Sequence, residues 1–262
     1  MWVNLTTCKV WDKSLTHKPV PVVLTSYHRP KTFERCVTSL VKATRQPIYI
    51  IDNSQGKINE LLDWAQNDLG ITVIRNNENL GKPTSIRKHW LKIPQGQWFI
   101  TMDPDVVIPE NGIDKLISSA NFMLEQGYQV GIACPALENG NRSWTKQLET
   151  KNLVMHNWVE MARLKKNVYH NRALAGCLML VNNLFYNEIG GFHGRRIYND
   201  DDGWLCNESL KHGLLNIINS NVICEHDTSE ETPGYRDWKD RNSTQQIDQL
   251  GHWDHRSHCK TH

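Results

Sequence analysis

Apolar residues in the first hundred positions follow two rhythms. Short continuous runs at 20–25, 48–51, 71–74 and 98–102 have the length of buried strands. Between them, apolar positions recur at helical spacing. Phe33, Cys36, Val37, Leu40 and Val41 mark a helix from about Thr32, and Ile58, Leu61, Leu62 and Ala65 mark a second that ends near Gly70. Pro47 stops the first helix, and Asp52-Asn53-Ser54-Gln55-Gly56 is turn chemistry. A polar loop at 76–82 leads to a third helix over 85–91. Strand alternating with helix predicts an α/β fold, with a mainly parallel central sheet and helices on both faces. Ligands of such sheets bind beyond the carboxyl ends of the strands. The turns after the first, second and fourth strands carry Tyr27 and Arg29, then Asp52, then Asp103 and Asp105, and these should converge on one cleft.

The second half is looser. A helix is expected over 113–126 and a strand over 131–135. Residues 138–171 are polar, with Trp144 and Trp158, and read as an irregular or helical excursion. A strand over 174–181 precedes a turn at Gly190-Gly191-Phe192. The acids Asp200, Asp201 and Asp202 follow, then a helix over 205–212 closed by Gly213. Two short strands, 215–218 and 222–224, lead to Glu225-His226-Asp227. From Ser229 the chain is charged and rich in His.

Composition narrows the class. The 262 residues suit one large domain with or without an extension, and 39% apolar with 22% charged residues is the balance of a soluble globular chain. A net charge of only +2 implies no nucleic-acid partner. The seven Cys have no C-x-x-C spacing, which points to reduced thiols and a cytoplasmic location, with peripheral attachment to a membrane left open. No basic and apolar leader opens the chain, and no apolar run reaches spanning length, so no transmembrane segment is expected. Ten Trp offer faces for sugars, although most Trp are core residues.

The sharpest local signal is Asp103-Pro104-Asp105 behind Trp98-Phe99-Ile100-Thr101-Met102. Alternate residues of an extended chain point the same way, so both acids would project from one strand tip. Pro104 belongs at a strand end because it cannot donate to a ladder. Two such carboxylates repel unless a cation lies between them, which suggests a divalent-metal site. A solvated turn is the plainer alternative.

The order of motifs resembles family 2 glycosyltransferases over roughly residues 20–227. Val22-Val23-Leu24-Thr25-Ser26-Tyr27-His28-Arg29-Pro30 is similar to that family's opening strand and turn, and Ile50-Ile51-Asp52-Asn53-Ser54 to its second-strand motif. Asn77-Glu78-Asn79-Leu80-Gly81 matches the loop after the third strand, and Asp103-Pro104-Asp105 is a D-x-D in the expected place. Ala175-Gly176-Cys177-Leu178-Met179-Leu180 and Ile189-Gly190-Gly191-Phe192 resemble the acceptor-side strand and turn. Asp201-Asp202 stands where the family has its acidic pair, and His226 where it often has a metal-binding His. The chain departs in having Trp204 in place of a third acid, and Lys82-Pro83 where small residues are common.

The resemblance implies a GT-A fold with a smaller acceptor-side sheet. It implies a single catalytic domain over 1–228, with a donor half at about 19–107 and an acceptor half at about 108–228, and an extension over 229–262. It implies inverting transfer of a sugar from a nucleotide diphosphate donor, uridine by family habit, to a glycan, glycolipid or glycoprotein acceptor. Asp202 is then the expected general base, and a helix cap is its alternative. Asp105 and His226 would be metal ligands, and Asp103 would contact the donor ribose or a metal-bound water. Oxygen donors with one imidazole suit Mn²⁺, or Mg²⁺. Asp52 would accept from the nucleotide base, or else close an Asx-turn. Thr25, Tyr27, Arg29, Gly81, Lys82, Arg87 and Pro104 complete the expected donor pocket. Simple packing is the alternative for Tyr27, and a surface cation for Lys82 and Arg87. Asp201 and Trp204 are expected on the acceptor side, where a core role is open to Trp204. Two rival readings remain: a haloacid-dehalogenase-like phosphatase, which also carries D-x-D after an apolar strand, and a non-catalytic carbohydrate-binding relative.

Overall fold

The computed structural model describes residues 10–138, 161–193, 201–227 and 229. The strands over these residues are β1 (Val22–Ser26), β2 (Ile48–Asp52), β3 (Thr72–Arg75), β4 (Trp98–Met102), β5 (Val106–Val107), β6 (Val130–Leu137), β7 (Met161–Lys165), β8 (Val168–Asn171), β9 (Leu178–Asn182) and β10 (Leu215–His226). The helices are α1 (Pro30–Ala43), α2 (Asn59–Asn67), α3 (Gly81–His89), α4 (Gly112–Glu125), α5 (Asn183–Glu188) and α6 (Asp202–Lys211).

The strand order is β3-β2-β1-β4-β9-β6-β10-β8-β7, with β5 paired to the end of β10. β1, β2, β3 and β4 run parallel, as the strand–helix alternation predicts. β1, β4 and β9 are buried along their whole length, which is why they read as unbroken apolar runs. The predicted stripe on α1 is its buried face: Phe33, Cys36, Val37 and Leu40 pack under the sheet.

The structure departs from the sequence reading at several places in the sheet and its connections. β9 enters antiparallel between β4 and β6, so the sheet is mixed at its centre. The two short strands expected at 215–218 and 222–224 are one strand, β10, whose register against β6 shifts between Asn219 and Ile223. The polar residues there mark an irregularity in the ladder and not a turn. Residues 161–171 form the β7–β8 hairpin, while 139–160, with Trp144 and Trp158, lie outside the described residues. α5 was not anticipated; Asn182 caps it by accepting from the amides of Leu184 and Phe185 at 3.1 and 3.3 Å. The His-rich tail beyond Ser229 also lies outside the described residues.

No helix among the described residues is long and apolar enough to cross a membrane. Cys36, Cys134, Cys177, Cys206 and Cys224 are buried, and burial opposes ionisation of their thiols.

Candidate active site

The parallel ladders bring the carboxyl ends of β1, β2 and β4 to one edge of the sheet. Because β9 is antiparallel to β4, with Leu178 opposite Met102, its leading residues Gly176 and Cys177 reach the same edge. The Asp103 amide donates to the Cys177 carbonyl at 2.9 Å and extends that pairing. Pro104 then turns the chain, so Asp103 and Asp105 sit in a turn between β4 and β5 and not on one strand tip. β5 pairs with β10, placing Val106 opposite His226, and the Asp227 amide donates to the Asp105 carbonyl at 2.7 Å. That ladder is what joins Asp105 to a histidine from the far end of the chain.

The two D-x-D acids hold separate cations. Arg29, a left-handed residue (φ 72°) ahead of α1, donates from its guanidinium to Asp105 Oδ2 at 2.8 Å. His226 Nε2 lies 3.5 Å from the same oxygen. Lys82, in the first turn of α3, donates from Nζ to Asp103 Oδ1 at 2.9 Å and to the Gly176 carbonyl at 2.7 Å. Asp201 Oδ2 stands 3.3 Å from the same ammonium. Lys82 thus joins a donor-side acid to an acceptor-side acid, and its side chain is only 10% exposed. Gly81 begins α3 at φ +67°, a conformation that favours glycine, and its amide donates to Asn79 Oδ1 at 3.0 Å.

Asp202 is the first residue of α6. Its Oδ2 accepts the Gly176 amide at 3.0 Å and its Oδ1 accepts the Gly203 amide at 2.7 Å. The helix cap weighed for it falls on Asp201, whose side chain makes no cap bond; the bond to Gly176 reaches across the cleft. Gly176 therefore binds Lys82 through its carbonyl and Asp202 through its amide, a role the sequence reading does not assign to it. Its only local signal is a glycine leading an apolar strand.

The charges alter one another. Burial, with Asp105 and Asp201 nearby, pushes the Asp103 carboxyl up to about 6 against the pull of Lys82. Burial and the charge of Asp201 also raise Asp202 above the ordinary aspartate value, against its two amide bonds and Lys82. Asp105 goes the other way: burial opposes its charge, but His226, Arg29 and Lys82 outweigh it and hold the carboxyl low. Burial works against the Lys82 ammonium, yet Asp103 and Asp201 keep its pKa above the usual lysine range.

The remaining expected residues have their own local partners. Asp52 is buried, and its Oδ1 accepts from Ser26 Oγ and the Ser54 amide, both at 2.9 Å. The second bond is the Asx-turn named as its alternative. Thr25 is buried on β1, beside the turn that carries Tyr27, and Lys57 Nζ lies 5.3 Å above the Tyr27 ring. Arg87 is exposed and donates to the Phe192 carbonyl at 3.0 Å, so it braces the Gly-Gly-Phe turn. Trp204 is half-buried against the core, its ring 5.2 Å from that of His193. Arg35 on α1, absent from the sequence reading, pairs with both Asp227 and Glu225 and fastens the end of β10 beside His226.

A divalent cation fits this donor set in part. Asp105 Oδ1 is a buried carboxylate oxygen with no protein partner, next to an imidazole. Hard oxygen with one nitrogen is chemistry for Mn²⁺ or Mg²⁺. No group of three or more His, Cys, Asp or Glu among the described residues is arranged to hold a metal.

Similar architectures occur in solved structures. GalNAc-T7, solved with UDP, GalNAc and Mn²⁺, aligns over 84% of this chain and 45% of its own length at 17% identity and a TM-score of 0.62. TarS of S. aureus aligns over 81% of this chain and 37% of its own at 13% identity and a TM-score of 0.56. Its 1–349 portion in complex with UDP-GlcNAc aligns over 82% and 62% at 12% identity and a TM-score of 0.55. The chain thus spans well under two thirds of the first two proteins it resembles, and at these identities the likeness concerns fold, which is GT-A as expected. Comparison with curated proteins finds no match. Residues 22–184 match the model of a family described as Glycosyl transferase family 2. With more than half its length inside that match, the chain belongs to glycosyl transferase family 2.

Proposed function

We propose that this chain transfers a sugar, with inversion, from a nucleotide diphosphate donor to a hydroxyl of a glycan, glycolipid or glycoprotein. UDP is the favoured carrier, because the similar folds GalNAc-T7 and TarS were solved with UDP and UDP-GlcNAc. One observation carries the reading: Asp103, Asp105, Asp201 and Asp202 gather around Lys82 and Arg29 at the carboxyl edge of the sheet. Such a cluster suits a diphosphate on one side and a hydroxyl to be deprotonated on the other.

In this reading the donor half is about 19–107 and the acceptor half about 108–228. Asp52 offers its second carboxylate oxygen to a base N–H, since Oδ1 is committed to the turn. Arg29 and Lys82 pair with phosphate oxygens. Trp204 stacks on the acceptor sugar, and Asp201 orients it. The acceptor oxygen attacks the anomeric carbon while that carbon's bond to the diphosphate oxygen breaks. The electron pair stays on the diphosphate, and the hydroxyl proton passes to Asp202, whose raised pKa suits it to receive a proton. Asp105 and His226, with Asp103, would hold Mn²⁺ or Mg²⁺, which supplies Lewis-acid stabilisation of the departing charge when bound.

Calorimetric titration of UDP, with GDP and dTDP as controls, with and without Mn²⁺, tests this on the wild type and on Asp105→Ala. Mn²⁺-dependent binding of one nucleotide, lost in the variant, is the expected result. Failure of every nucleotide diphosphate to bind under either condition would overturn it in favour of a carbohydrate-binding relative. The phosphatase reading is not pursued: its D-x-D belongs on the first strand, whereas Asp103 and Asp105 follow β4.

A further inference from the structure

We propose that Arg29 and Lys82 are exchangeable counter-cations. They pair with Asp105 and Asp103, and on donor binding they turn to the diphosphate and release both carboxylates to a divalent ion. The exchange rests on the donor reading given above.

Each acid of the pair is engaged at one oxygen, Asp105 Oδ2 by Arg29 at 2.8 Å and Asp103 Oδ1 by Lys82 at 2.9 Å. The Arg29–Asp105 pair is shielded from solvent screening, with side chains 11% and 13% exposed, and in the other pair Lys82 is 10% exposed while Asp103 is open at 37%. A divalent ion on Asp105 while the guanidinium stays would put two cations on one carboxylate, with the His226 ring already 3.5 Å from Oδ2. Like charges that close, in surroundings of reduced polarity, exclude one another. A diphosphate removes the conflict. It brings several negative oxygens of the kind guanidinium and ammonium groups bind well. Both side chains are long, and their heads can leave a carboxylate for a phosphate without movement of α1 or α3.

Lys82 also binds the Gly176 carbonyl and faces Asp201, so its departure changes the acceptor side as well. Affinity for nucleotide and affinity for metal are then reciprocally coupled through two side chains.

Mn²⁺ binding, read from loss of the free-ion signal in electron paramagnetic resonance, tests this on the full chain. Wild type, Lys82→Met, Arg29→Met and Lys115→Met are each titrated with and without UDP. Lys115 controls for general charge, because it is an exposed cation on α4, outside the candidate site. Without UDP, Lys82→Met and Arg29→Met are expected to bind Mn²⁺ about tenfold more tightly than wild type, and UDP should then improve Mn²⁺ binding less than it does in wild type. Lys115→Met should stay within about twofold of wild type. Unchanged Mn²⁺ affinity in both acid-partner variants overturns the exchange, and so does an equal gain in Lys115→Met. Either acid-partner variant alone decides it if the other does not fold by circular dichroism. A wild type that binds no UDP at any Mn²⁺ concentration removes the donor reading instead, while the UDP-free arm still reports whether the two cations compete with the ion.

Discussion

Gly176 donates its amide to Asp202 Oδ2 at 3.0 Å, and the two residues are so close that a Cβ on Gly176 would lie 2.8 Å from the Asp202 Cβ. A side chain at 176 must therefore move the Asp202 carboxylate. Gly176→Ala is expected to lower turnover about 10²-fold while nucleotide affinity stays within about twofold, because misplacing a reacting group by about 1 Å costs on that scale. Steady-state kinetics beside calorimetry give the split. Loss of nucleotide affinity in step with turnover would assign the glycine to the donor site instead.

Asp202→Asn keeps one of the two amide bonds, since only one of its terminal atoms can accept, and it cannot take up a proton. Turnover should fall by about 10²–10⁴-fold with the fold intact by circular dichroism. Near-normal turnover in this variant would leave Asp202 with its bonds to the Gly176 and Gly203 amides alone.

Asp52→Asn separates the two roles weighed for that residue. The amide oxygen can still accept from Ser26 and Ser54 and preserve the turn, whereas the new NH₂ meets the base N–H with a donor. UDP affinity should drop about tenfold or more, with unfolding by urea unaffected. Equal UDP affinity in the two proteins would confine Asp52 to the Asx-turn.

His89 makes folding sensitive to mild acid. Its Nε2–H donates to Asn76 Oδ1 at 2.9 Å, and its Nδ1 is buried without a partner. Burial, with Lys92 and Lys88 nearby, holds the imidazole below the ordinary histidine value. The unfolded chain therefore binds a proton that the folded chain resists. The stability contributed by neutral His89 is complete above the unfolded pKa, about 6.5, and is lost as pH falls toward the lower folded pKa. Urea midpoints at about pH 7.5 and 5.5 should differ more for wild type than for His89→Gln. The same difference in both proteins would place the acid sensitivity elsewhere.

Much of the donor half is legible in the sequence because its signals are local. The run at 98–102 is strand β4, and the spacing of Phe33, Cys36, Val37 and Leu40 is the buried face of α1. Burial writes a period into neighbouring residues, so a single chain carries it. Helix starts are less exact: α3 begins at Gly81 and α6 at Asp202, ahead of the apolar positions that reveal them, because polar first turns leave no apolar period. The order of motifs marks Asp103, Asp105, Asp201, Asp202 and His226 as candidates; the ladders carry Asp103, Asp105 and His226 to one edge of the sheet, where Lys82 and Gly176 meet Asp201 and Asp202 at the start of α6. What the sequence could not contain is who faces whom. Arg29 meets Asp105 across 76 residues and Lys82 meets Gly176 across 94. The antiparallel entry of β9, the irregular course of β10 and the short β5 ladder create those meetings. Pairing between distant strands depends on which edges remain open once the local elements have formed, so only the assembled sheet decides which cation neutralises which acid.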